Sequence, residues 1–242
     1  MQLEIRAGVE LPARRENIEL HTSDGLTLVG ELSLPAQREP VATLVALHPL
    51  TTHGGFMDSH IIRKAAARLP ALADLAVLRF NFRGAESPRG RSEGAFGEGI
   101  DEKHDLDAAM RLVEERQLPS PWLVGWSFGT EVALKHGLRH PVVGAILLSP
   151  PLRRVNRAEL EAWAGSGKQL VALIPELDDY LRPDEARLKF AIVPETKLIA
   201  VDGGKHLWVG EDQTRRVLNE IVTAVNPSAA PLPTDWTPPA AG

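Results

Sequence analysis

Cysteine is absent from the 242 residues, which excludes disulfides, thiolate metal sites and a cysteine nucleophile. No uncharged apolar run reaches the roughly 18 residues that a membrane-spanning helix needs. The start Met1-Gln2-Leu3-Glu4-Ile5-Arg6 has neither the basic stretch nor the apolar core of a signal peptide, so the expected location is the cytoplasm. Lysine and arginine form no long cluster, and the formal net charge is -5. A phosphate backbone would meet no basic surface, and nucleic acid is not an expected partner. Hydrophobic residues at 43% and charged residues at 24% are ordinary for a globular chain, and the length suits one large α/β domain better than two small ones.

Strand-like runs occupy residues 17–21 and 26–34, separated by Thr22-Ser23-Asp24-Gly25, a turn signal that predicts an antiparallel hairpin. Residues 41–47 are apolar without alternation, as strands covered on both faces are, and 75–80, 122–124, 142–148, 169–174 and 197–201 are further mainly apolar strand-like runs. Helical periodicity appears at 59–69, 100–116, 128–140 and 213–225. Strands alternating with helices imply a mainly parallel sheet with helices on both faces. The domain is placed at residues 1–225. Residues 226–242 are rich in proline and are expected to form an extended or disordered tail. Residues 85–99 carry Pro88 and several glycines, which fits a long polar loop.

The pentapeptide Gly125-Trp126-Ser127-Phe128-Gly129 lies between a predicted strand and a predicted helix. G-x-S-x-G in that context is a nucleophile elbow, a turn that lifts the serine hydroxyl off the sheet. A serine needs a base to react fast. Of the eight histidines, only His206 follows the last strand, in a glycine-containing loop at the edge shared with Ser127. The acid belongs between them, in Pro175-Glu176-Leu177-Asp178-Asp179. Asp178 is chosen, with Asp179 second and Glu176 third, to hold the histidine tautomer. The oxyanion hole is assigned to the N–H groups of Phe128 and Leu50, since Pro49 has none. His48 is read as a brace. His48, His53 and His60 lack metal-site spacing, so neither a metal nor any other cofactor is expected.

The elbow, His48-Pro49, Arg79-Phe80-Asn81-Phe82-Arg83-Gly84, the acid loop and Gly203-Gly204-Lys205-His206 together resemble the α/β-hydrolase superfamily. With Gly54-Gly55-Phe56-Met57-Asp58 and Ser92-Glu93-Gly94, they are similar to small bacterial hydrolases near dienelactone hydrolase. The resemblance implies an α/β-hydrolase fold, with an eight-stranded, mostly parallel sheet and an antiparallel second strand. It also implies serine hydrolase activity. Dienelactone hydrolases proper carry a cysteine nucleophile, so that activity does not transfer. A lid in this superfamily commonly follows the strand ending here at Leu148, and residues 151–167 leave room for one modest helix. No large lid is therefore expected, and short or polar acyl groups should be preferred. The expected partner is a small-molecule ester, and a homodimer is compatible with the reading. Thioester or amide cleavage would use the same three residues. A catalytically silent binding module, or a haloperoxidase or lyase on the same fold, are the competing classes.

Overall fold

The computed structural model describes residues 2–237. Its frame is an eight-stranded sheet of β1 (Ala13–His21), β2 (Thr27–Pro35), β3 (Ala42–Leu47), β4 (Leu75–Phe80), β5 (Pro121–Trp126), β6 (Gly144–Leu148), β7 (Gln169–Pro175) and β8 (Lys197–Val201). Their order is β8-β7-β6-β5-β3-β4-β2-β1. Strand β2 runs antiparallel to β1 and β4, and the other neighbours are parallel. Strand β1 begins at Ala13 rather than at residue 17. Its polar start is held by backbone pairing, Ala13 opposite Pro35 and Arg14 opposite Leu34, and so leaves no apolar alternation to read.

The helices α1 (His60–Ala73), α2 (Glu102–Glu115), α3 (Phe128–His136), α4 (Arg157–Glu161), α5 (Pro183–Phe190) and α6 (Glu211–Val225) cover both faces. Strand β3 shows why its sequence does not alternate. Leu44 packs in one core with Ile61, Leu69 and Ile221, while Val45 and Leu47 join the other with Leu106, Val132 and Phe190. Helix α1 runs through Pro70, past its expected end at Leu69, because Leu69, Pro70 and Ala73 are all buried and their packing holds the last turn. Only α4 follows β6 before β7, so no large lid is present among the described residues. No helix of the described residues is long and apolar enough to cross a membrane.

Of the tail expected to be extended or disordered, residues 226–237 form a short 3-10 turn at Pro227–Ala229 followed by a stretch that docks on the domain. Asp235–Trp236 pairs with Leu3–Glu4, and the Leu232 N–H donates to Asn219 Oδ1 at 2.7 Å. Leu232 is buried, and that apolar contact holds the proline-rich chain in place. Residues 238–242 of the expected tail lie outside the described residues.

Candidate active site

Strand order reverses at β3, and the carboxyl ends of β3 and β5 meet beside that switch point, where open α/β sheets gather ligands. Ser127 sits there with φ 51° and ψ -115°. A non-glycine residue in such a conformation costs about 1–3 kcal/mol and persists only when its surroundings fix it. Here the Ser127 N–H donates to Leu148 O at 2.9 Å. Its carbonyl accepts the Thr130 N–H at 2.9 Å and the Thr130 hydroxyl at 2.6 Å. The flanking glycines follow from close approach. A Cβ on Gly125 would lie 2.5 Å from Gly129 O, and one on Gly129 would lie 2.0 Å from Leu47 O.

The structure brings Ser127, His206 and Asp178 into one hydrogen-bonded line. His206 Nε2 is 2.8 Å from Ser127 Oγ. His206 Nδ1 is 3.0 Å from Asp178 Oδ2 and 3.2 Å from Oδ1. Asp178 and His206 are both buried. The other two acids of that loop do different things. Glu176 accepts the Gly203 N–H at 2.7 Å and so braces the histidine loop, whereas Asp179 is exposed. The His206 carbonyl is fixed from below by Trp126 Nε1–H and Ser149 Oγ–H, each at 3.1 Å.

Leu50 and Phe128 both face the cavity above Ser127. Among the described residues neither N–H donates to a backbone carbonyl, which leaves both amides available to an oxyanion. His48 holds the Leu50 loop. Its Nε2 accepts the Phe82 N–H at 2.9 Å, so Nδ1 carries the proton and donates to Pro49 O at 2.6 Å. Burial pushes this imidazole down from 6.5 to about 4, so it stays neutral and acts as a brace. An unfolded chain therefore binds a proton that the folded chain refuses between those two values. The neutral imidazole's contribution to stability is complete above pH 6.5 and is lost as the pH falls towards 4. The wild-type thermal midpoint is expected to fall more steeply over that window than that of His48→Asn, whatever the variant's overall stability; parallel curves would refute it.

The segment from Arg79 to Gly84 ties the surrounding loops together. Arg79 is buried and pairs with Glu31 at 2.7 Å and with Asp58. The Asn81 side chain accepts the Met57 N–H at 2.9 Å and donates to Gly90 O at 3.1 Å. Arg83 pairs with Asp105 at 2.8 Å and Asp24 at 2.9 Å. Two of the three histidines weighed for spacing are engaged with the backbone. Both His48 nitrogens serve the backbone, and His60 Nε2 bonds Leu207 O at 2.6 Å.

The cavity has a volume of about 480 Å³, within the usual range for small-molecule sites. Its wall includes four residues that the sequence did not single out as site residues: Glu131, Arg153, Arg154 and Tyr180. Glu131, one helical turn after Ser127, is fully buried. Its Oε1 accepts the N–H groups of Arg153 and Arg154 at 2.5 and 2.6 Å. A lone carboxylate among Val132, Ala133 and Leu134 was the available signal, because a buried charge needs a partner.

A sequence model of the alpha/beta hydrolase family matches residues 50–240, and the chain belongs to that family. It is 31% identical over 130 residues to an uncharacterised protein of Rickettsia prowazekii (strain Madrid E), covering 52% of this chain and 51% of that one. The chain thus spans about half the length of the curated relative it matches. Among solved structures, it is similar to an alpha-beta serine hydrolase homologue from Coxiella burnetii, with a TM-score of 0.74, 22% identity and coverage of 87% and 97% of the two chains. A serine hydrolase without lid from Xanthomonas campestris also gives 0.74, at 23% identity over 93% of this chain and 99% of that one. An esterase from Pyrococcus furiosus gives 0.69, at 19% identity over 88% and 93%. At these identities the structural likeness carries the fold.

Proposed function

We propose that the protein is a serine hydrolase of carboxylesterase type that cleaves small esters in the cytoplasm. The observation that carries this reading is the line from Ser127 Oγ through His206 to Asp178, opening into the cavity. Asp178 accepts the Nδ1–H, which leaves Nε2 bare to take the serine proton. Ser127 Oγ attacks the carbonyl carbon, its proton passes to Nε2, and the oxyanion faces the Leu50 and Phe128 amides. Collapse returns that proton to the leaving alcohol and leaves an acyl group on Ser127. Water, deprotonated by the same imidazole, then releases the acid.

The absence of a large lid among the described residues supports short acyl groups. Each methylene left in water forgoes roughly 0.8 kcal/mol of burial, so kcat/KM for p-nitrophenyl esters should stop rising after about six carbons. A rise continuing beyond the octanoate would refute the short-acyl preference. A fluorophosphonate probe should label the wild-type protein and not Ser127→Ala. An unlabelled wild type would instead point to a silent binding module.

A further inference from the structure

The geometry points to an anion subsite on the leaving-group side of this cavity: the favoured substrates are esters whose alcohol half carries a carboxylate, held by Arg153. This rests on the hydrolase reading above and names the substrate class for the same site. Arg153 lines the cavity in the loop between β6 and α4. Its guanidinium carbon lies 4.5 Å from the centre of the Tyr180 ring, and among the described residues no carboxylate pairs with it. The neighbouring charged groups already have partners. Arg154 pairs with both Glu98 at 3.1 Å and Glu131 at 3.5 Å, and Asp178 is turned to the His206 Nδ1–H. Of the two arginines in the wall, Arg153 is therefore the one whose guanidinium meets no carboxylate among the described residues.

Arg153 is exposed, but its side chain is anchored at the root and rests on a ring. The buried Glu131 carboxylate fixes the Arg153 backbone through its N–H, and the phenol ring supports the guanidinium. Less freedom is then lost when a ligand docks. Direction follows from the order of these contacts. The Tyr180 ring sits 4.5 Å from the His206 ring, so imidazole, phenol and guanidinium succeed one another along one wall. His206 gives its proton to the leaving oxygen, which places the alcohol half beside the imidazole, and Arg153 lies further along the same side. A planar fork of N–H donors there suits a carboxylate.

The test compares the acetyl ester of 3-hydroxybenzoate with that of methyl 3-hydroxybenzoate. Both transfer the same acetyl group, so kcat/KM for acetate release, which leaves out any cleavage of the methyl ester, reads the alcohol half. The wild type should favour the carboxylate about 5–10-fold at low ionic strength, and the ratio should shrink as salt is added. In Arg153→Gln the ratio should fall towards one, and Arg153→Lys should keep part of it. A wild-type ratio near one, or an unchanged ratio in Arg153→Gln, overturns the subsite while hydrolysis itself still stands. Calorimetric titration of 3-hydroxybenzoate and its methyl ester into Ser127→Ala separates the two readings. Carboxylate binding that depends on Arg153, in a protein whose wild type hydrolyses neither ester, would support the subsite and refute the esterase.

Discussion

Ser127→Ala is expected to lower kcat for p-nitrophenyl acetate by roughly 10³-fold or more, with the thermal midpoint close to that of the wild type. The hydroxyl's hydrogen bond is the one to His206 Nε2 at 2.8 Å, so removing it deletes the nucleophile and little of the fold. The tight turn is held by backbone contacts to Leu148 and Thr130, which alanine keeps. Its Cβ occupies the same place as that of serine. What activity survives comes from substrate binding and from the Leu50 and Phe128 amides, which do not depend on Oγ. Stopped-flow or steady-state release of p-nitrophenol measures the effect. Undiminished turnover in the purified variant would remove Ser127 from the chemistry.

The features legible in the sequence were those whose cause is local. Ser127 stood out because Gly125 and Gly129 are required by backbone approaches within a few residues of it and at the end of β3. The buried strands showed as continuous apolar runs because each has a core on both sides. His206 could be found because it follows the last strand. The choice among Glu176, Asp178 and Asp179 depended on a turn that spacing does not reveal. Asp178 Oδ1 accepts the Tyr180 N–H at 2.7 Å and the Leu181 N–H at 3.3 Å. That turn points Asp178 inward and Asp179 into solvent. The remaining wall was hidden because its cause is distant in sequence: Glu131 matters through Arg153 and Arg154, and Tyr180 through His206 and Arg153. The docked segment before residue 238 was hidden likewise, since its partners Leu3, Glu4 and Asn219 are far from it along the chain.

Asp178→Asn is expected to lower kcat/KM by about 10²–10⁴-fold, and Asp179→Asn by less than about 2-fold. The reason is a tautomer. In Asp178, Oδ1 is occupied by the Tyr180 and Leu181 N–H groups, and Oδ2 receives the His206 Nδ1–H at 3.0 Å. An asparagine must keep its oxygen on the two backbone donors, because its NH₂ group cannot accept them. The amide nitrogen is then turned towards His206, so Nδ1 must accept and the proton moves to Nε2. A protonated Nε2 donates to Ser127 Oγ and cannot take its proton, and the imidazolium formed during attack has also lost its stabilising carboxylate. Asp179 makes no such contact and lies in solvent, so its charge acts only at a distance and is screened. Parallel kcat/KM measurements on the two variants, with circular dichroism to confirm that both fold, decide the matter. A larger loss in Asp179→Asn would reassign the acid by one residue, and equal small losses would mean that His206 keeps its tautomer through some other contact.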